Sequence, residues 1–421
     1  MTARPWILLP FAALLAVPQL PAYSVLTHEA IIDGAWEKDI TPVLLRRFPQ
    51  TDAAALTQAH AYAYAGCIIQ DMGYYPFGSK LFTDLAHYVR TGQFVQNLLR
   101  EARDVNEYAF ALGALAHYTA DTRGHPIAVN ASVPIEYPKL EARYGKAVTY
   151  EQNPKAHIRV EFSFDVLQVA RGRYAPKSYH DFIGFQVAKG VLERAFHDTY
   201  SLDLTDLFSD LDRALGTYRH AVSGVIPTMT KVAWDMKKGD LKKTNPQMRR
   251  REYIYAISGA SYRKEWPERY SRPGIGATVL ALFIRIVPKV GPLAVLSFKA
   301  PTPQTEKLFE ASFDRTLEEY RRCLREQGEG TLQLADLDLD TGAPVRRGDY
   351  WMADASYAQL AIRLAQRDAA SVDPNVSASV LEFFRDTSLP NGVKERDPKQ
   401  WQRTLAAIYT LRSRTGTKAA R

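Results

Sequence analysis

Apolar residues recur along this chain at the three- and four-residue spacing of helices. Ile31, Ile32 and Trp36 form one stripe behind Thr27, which reads as the N-cap of a first helix with His28 in its first turn. Thr41-Pro42 repeats the start signal, a cap followed by proline at the first helical position. A longer helix is expected from about Thr51 to Ile69, stopping at Gln70-Asp71-Met-Gly-Tyr-Tyr-Pro76 and leaving Asp71 in a loop. Leu81 to Arg90 continues the pattern, with His87 on the face of Phe82 or Thr83. Glu101 to Ala120 is strongly helical and runs into Gly113-Ala-Leu-Ala-His117-Tyr-Thr-Ala-Asp121-Thr-Arg-Gly-His125-Pro126. Gly113, Ala114, Ala116 and Ala120 suit close packing there. Pro126 disfavours the α conformation for His125, so the helix is expected to end near Gly124 and turn His125 outward. A loop from Pro126 to Pro154 then leads to a buried helix over Ala156 to Phe164.

Beyond residue 225 the character shifts. Lys237, Lys238, Lys242, Lys243, Arg249, Arg250 and Arg251 crowd one segment, whose ordinary reading is a solvated face and whose functional reading is attraction of phosphate-bearing lipid or polymer. Residues 276–298 are the most apolar part after the N-terminus, broken by Arg285, Pro288, Lys289 and Pro292. That pattern fits a core-packed helical hairpin, or an interfacial segment at lipid headgroups, better than a transmembrane span. Leu332 to Asp340, a Gly-Asp-Tyr turn and Ala355 to Gln366 read as helix with loops. The whole is an all-α pattern, with no internal repeat, Gly-rich phosphate loop or low-complexity tract.

At 421 residues the chain exceeds the ~250 to 300 at which single cores stop growing. Its first residues carry Arg4, an apolar run from Trp6 to Val17 and a small-residue exit, the form of a signal peptide over residues 1–22. Cleavage is expected after Ala22 or after Ser24, which makes the protein exported, periplasmic or secreted. A net charge of +8 and a pI near 9.2 favour anionic partners without naming one. Cys67 and Cys323 are the only cysteines, so no disulfide framework holds the fold, and Cys67 in its apolar run reads as a buried thiol.

The candidate chemistry lies in His28, Asp71, His87, His117, Asp121, His125, His157 and Glu161. His117 and Asp121 are four apart, as are His157 and Glu161, so each pair shares a helix face. One such pair alone reads as an ion pair. Eight imidazoles and carboxylates within about 140 residues read as a multinuclear metal site. Nitrogen and carboxylate ligands without thiolate suit zinc in a hydrolytic site, where positions stay open for water. His60, His180, His197 and His220 are assigned structural or surface roles.

The ordered series His, Asp, His, His-x-x-x-Asp, His, His-x-x-x-Glu resembles the zinc-dependent phospholipase C family and, more distantly, the single-strand nucleases of the S1/P1 type, which share its all-helical fold. The resemblance covers Tyr23 to Phe164 by motif, and to residue 225 by helical character. It implies a domain over residues 23–225 and leaves 226–421 as a mainly helical C-terminal extension of unknown role. It also implies two or three zinc ions. Asp71, His87, His117 and Asp121 would hold the first, and His125, His157 and Glu161 the second. His28, a bridging Asp121 and the mature N-terminus would hold the third. Asp71 would either ligate or act as general base. The family's best-known members begin at a tryptophan, and none lies just before His28; Tyr23 would take that place after cleavage at Ala22.

The implied reaction is phosphodiester hydrolysis, with a phospholipid headgroup as substrate and peripheral membrane contact through 237–251 and 276–298. A nuclease or nucleotidase is the alternative enzyme, with the Tyr74-Tyr75-Pro-Phe77 loop as a platform for bases. The third reading is a non-catalytic zinc-binding envelope protein. It is disfavoured because structural zinc sites are usually cysteine-rich.

Overall fold

The computed structural model describes residues 25–226 apart from 172 and 176, and residues 297–418 apart from 389 and 390; between these blocks only 229, 230, 233 and 239 are described. The proposed signal segment therefore lies outside the described residues. So do 237–251 and 276–298, apart from Gly239, Ser297 and Phe298.

The architecture is all-α. Among the described residues no strand forms, and the nearest approach to one is an isolated bridge between Leu337 and Pro344. In chain order the first block runs α1 (Val25–Ala35), a π-helical turn (Trp36–Ile40), α2 (Thr41–Arg47), α3 (Ala53–Gly66), a 3-10 turn (Ile69–Tyr74), α4 (Lys80–Tyr88), α5 (Thr91–Glu101) and α6 (Val105–Gly124). It continues through a second π-helical turn (His125–Val129), α7 (Asn130–Glu136), α8 (Pro138–Tyr144), α9 (Pro154–Arg171), α10 (Lys177–Ile183), α11 (Lys189–Tyr200) and α12 (Leu211–His220). The second block holds α13 (Pro303–Glu329), α14 (Trp351–Gln366), α15 (Pro374–Phe383), α16 (Gly392–Arg396) and α17 (Pro398–Lys418).

The centre of the fold is α6. Asp104 caps it by accepting from the amides of Asn106 and Glu107, and every residue from Tyr108 to Thr122 is buried. A helix buried on all sides is a core helix, and α1, α3, α5 and α13 surround it. The seam with α3 is the tightest, because Gly66 faces the Phe110 carbonyl and Gly113 faces the Ala63 carbonyl with no room for a Cβ at either position. On the opposite flank Tyr320 of α13 donates to the Leu112 carbonyl at 2.9 Å. The second block is thus packed directly on the helix that carries His117 and Asp121.

Four local expectations are corrected. The first helix is already running at Val25, so Thr27 lies inside it. The helix expected from about Thr51 to Ile69 runs Ala53–Gly66 with Asp52 as its cap. The segment from Pro126 to Pro154 is largely helical. The chain also does not break at Pro126, since His125 keeps α-type angles (φ −59°, ψ −59°) and the helix widens into a π turn closed by the Asn130 amide on the His125 carbonyl. Proline lacks the amide that would have bonded back to Thr122, and π turns of this kind concentrate at functional sites. His125 is consequently buried and faces inward.

Candidate metal centre

All eight candidate residues are buried and converge on one pocket. α6 and its π turn supply the spine, with His117, Asp121 and His125 successively four apart on one face. Asp121 sits in the middle. Its Oδ2 lies 3.0 Å from His117 Nε2 and 3.6 Å from His87 Nε2, while its Oδ1 lies 3.5 Å from His28 Nε2 and 3.7 Å from His125 Nε2. Asp71, at 3.3 Å from His87 Nε2, joins from the 3-10 turn that replaces the expected loop. His157 Nδ1 and Glu161 Oε1 meet at 2.6 Å on α9.

Three groups have ligand atoms close enough to share an ion. They are His28, His117 and Asp121; Asp71, His87 and His117; and His125, His157 and Glu161. The rings pack accordingly, His28 stacking on His117 with centroids 4.5 Å apart and His125 tilted against His157 at 5.0 Å.

The outer ring nitrogens of His87, His117 and His157 are tied to fixed acceptors, which sets their tautomers. His87 Nδ1 donates to the Thr83 carbonyl at 2.9 Å and His117 Nδ1 to the Cys67 carbonyl at 3.0 Å. His157 Nε2 donates to Asn130 Oδ1 at 2.8 Å. Each inner nitrogen is left as an acceptor facing the pocket, the arrangement a ligating histidine needs. Among the described residues, the inward atoms, namely Nε2 of His87, His117 and His125, Nδ1 of His157, Oδ1 of Asp71, both oxygens of Asp121 and Oε1 of Glu161, find no hydrogen-bond partner. Buried polar atoms without partners are costly, and so many on one wall fit bound cations.

The electrostatics agree. Burial would push Asp121 up, but His117 and His125, followed by His87, hold it well below the usual carboxylate range. Glu161 is driven well above its ordinary value by burial and then by Asp121, Asp71 and Asp340. Burial and the neighbouring His125 push His157 down to about 3, leaving it neutral at pH 7. A divalent ion would relieve the carboxylate repulsion and uses histidine in this neutral form.

Three residues that reading the sequence missed support the site. Asp165, four beyond Glu161 on α9, accepts from the amides of Leu26 and Thr27 at 2.9 and 3.1 Å and from the Thr27 hydroxyl at 2.6 Å. It anchors the positive end of α1 immediately before His28. The continued four-residue ladder His157, Glu161, Asp165 was its available signal. Asn130 follows the π turn and orients His157. Asp340 lies outside the first block, and nothing in the local sequence marks it.

The remaining histidines are structural. His60 Nε2 and the Tyr64 hydroxyl meet Asp33 Oδ1 at 3.1 and 2.5 Å, and His180 pairs with Glu29 at 2.9 Å. His197 pairs with Asp203 at the surface. Cys67 and Cys323 are both free buried thiols, and Cys67 serves the site only through its carbonyl.

The Tyr74-Tyr75-Pro-Phe77 loop is not the open aromatic platform expected for bases. Tyr74 and Tyr75 are buried, and Arg213 covers the exposed Phe77 ring at 3.7 Å.

Residues 27–209 match the family model described as zinc dependent phospholipase C. The matched span contains all eight candidate residues and stops well short of Asp340. No curated protein and no solved structure matches the chain.

Proposed function

From the premise that residues 27–209 belong to the zinc-dependent phospholipase C family, an enzyme family, we propose that this protein hydrolyses phosphodiesters, releasing the headgroup of a phospholipid. The observation that carries the reading is the single buried wall of inward-facing nitrogen and carboxylate atoms without hydrogen bonds. Zinc held there supplies a water acidic enough to lose its proton near pH 7, against ~15.7 for bulk water, and neutralises charge on the phosphodiester.

The chain's own residues divide the work. Asp71, His87, His117 and Asp121 would hold one ion, and His125, His157 and Glu161 a second. His28, with Asp121 and the mature N-terminus, would hold a third. Asp121 joins the groups because its two oxygens face different histidines. Asp71 lies at the edge of the cluster, where burial raises its carboxyl and the neighbouring His87 opposes that rise. It is the candidate to accept a proton from the attacking water. The residues 23–225 form the catalytic domain, and 226–421 extend it. Export through the N-terminal segment places the enzyme where phospholipid surfaces are exposed, and the basic run at 237–251 with the apolar stretch at 276–298 forms its membrane contact. Among the described residues no helix is long and apolar enough to cross a membrane.

The test is product analysis by mass spectrometry, with zinc-loaded protein offered phosphatidylcholine vesicles and, separately, single-stranded DNA. Phosphocholine and diacylglycerol are expected. Mononucleotides from DNA would instead establish the nuclease alternative. A zinc-replete protein that turns over neither substrate, and whose His117→Ala variant still folds, would establish the non-catalytic one.

A further inference from the structure

The segment from Asp336 to Tyr350, outside the family match, closes over the metal pocket. Leu339 donates its amide to the His87 carbonyl at 3.1 Å, and Thr91 and Leu337 exchange hydrogen bonds at 2.7 and 2.9 Å. Gly342, at φ +66°, lies so close to the Thr122 carbonyl that a Cβ would approach it to 2.4 Å. Thr122 is the residue whose helical partner Pro126 cannot donate, so the segment docks where α6 widens.

Asp340 is the centre of this contact. Its Oδ1 faces His125 Nδ1 at 3.4 Å, on the side of the ring away from the pocket. Its Oδ2 accepts from the Tyr88 hydroxyl at 2.8 Å and the Tyr350 hydroxyl at 2.5 Å. Its backbone carbonyl accepts from Asn130 Nδ2 at 2.8 Å, and Asn130 Oδ1 in turn receives His157 Nε2. One residue therefore reaches both histidines of the second group, His125 through its carboxylate and His157 through an asparagine whose amide orientation it sets. A carboxylate facing the outer nitrogen of a ligating histidine, here as an ion-pair contact, favours one tautomer and orientation of the ring and makes it a stronger donor, and losing such a partner typically costs about 10- to 100-fold in metal affinity.

We propose that Asp340 is the positioning residue for His125 and His157, so that the second metal site of this enzyme is completed by the C-terminal block. This rests on assigning His125, His157 and Glu161 to one ion. Tyr88 and Tyr350 hold the carboxylate in place, since with both hydroxyls on Oδ2 only Oδ1 is turned to the imidazole.

The test measures zinc on the full chain. Wild type, Asp340→Asn and Tyr350→Phe are dialysed against graded chelator and their zinc counted, with circular dichroism as the check on folding. The cobalt-substituted proteins are then compared by visible absorption. Asp340→Asn is expected to lose one ion at about 10- to 100-fold lower chelator while keeping the rest, with an altered cobalt spectrum at that site, and Asp340→Glu to restore part of the loss. Tyr350→Phe, which leaves the charge in place, is expected to show a smaller loss of the same ion, and it decides the matter if Asp340→Asn does not fold. A folded Asp340→Asn with wild-type zinc retention and cobalt spectrum overturns the proposal. A wild-type protein that binds no zinc overturns the metal assignment beneath it, which is a separate result.

Discussion

Replacing Gly113 by alanine tests whether the seam between α3 and α6 sets the geometry of the centre. The new Cβ would stand 2.2 Å from the Ala63 carbonyl oxygen, 2.8 Å from the Cys67 nitrogen and 2.9 Å from the Gly66 Cα. The first of these is more than an ångström short of ordinary contact, and all three neighbours are backbone, so no side chain can turn aside and the two helices must part. Overpacking of a rigid core costs about 1–3 kcal/mol, and the absence of any flexible neighbour puts this case near 3. Alanine returns up to ~1 kcal/mol through its higher helix propensity, leaving a net loss of about 2 kcal/mol. The parting also stretches the 3.0 Å bond from His117 Nδ1 to the Cys67 carbonyl, so zinc should be released at lower chelator. Gly216→Ala is the comparison, because nothing among the described residues lies within 4 Å of its Cβ, and it should be neutral or up to ~1 kcal/mol stabilising. Urea unfolding with and without zinc reads both effects. If Gly113→Ala matches wild type in stability and zinc content, the close approach is not what positions His117.

His117→Ala should empty the two groups that share this residue and reduce phosphodiester hydrolysis below detection, with metal analysis and product assay as the two readouts. Asp165→Asn replaces an acceptor of two amides by a group that cannot accept from both, and should cost about 2 kcal/mol and loosen the start of α1, which hydrogen exchange at Leu26 and Thr27 would detect. Burial pushes Glu136 up to about 8, against the Thr305 hydrogen bond and the Lys299 charge. Its folded value lies above the ordinary 4.5, so its contribution is fully present below pH ~4.5 and is lost as pH rises through ~8, by several kcal/mol at most. Glu136→Gln should flatten that part of a Tm–pH scan and stabilise the protein most above pH 8; an unchanged slope would count against the buried, protonated carboxyl.

The all-helical class was readable because the apolar spacing is strongly periodic, and His117 with Asp121 and His157 with Glu161 could be paired because four-residue spacing is a property of the helix itself; that His28, Asp71 and His87 join them was what the family resemblance implied. Pro126 was misread because a local preference met a π turn that accommodates it, and the same misreading turned His125 outward. Thr27 looked like a cap, while the actual partner of the helix start, Asp165, lies 138 residues away. Asp340 was illegible for the same reason in stronger form. Its contacts with Tyr88 and Asn130 span 252 and 210 residues, and no pattern of neighbours encodes a pairing at that distance.

Those separations also set a clock. At a synthesis rate of about 5–20 residues per second, roughly ten to forty seconds pass between the appearance of Glu161 and that of Asp340. During that interval the segments bearing the eight inward side chains have been made, while the carboxylate behind His125 has not. Closing so long a loop adds little entropy beyond a shorter one, but contacts of such range form late. The docking of Asp336 to Tyr350 is therefore expected among the last steps of maturation, and a chain interrupted before it would emerge helical, collapsed and metal-poor.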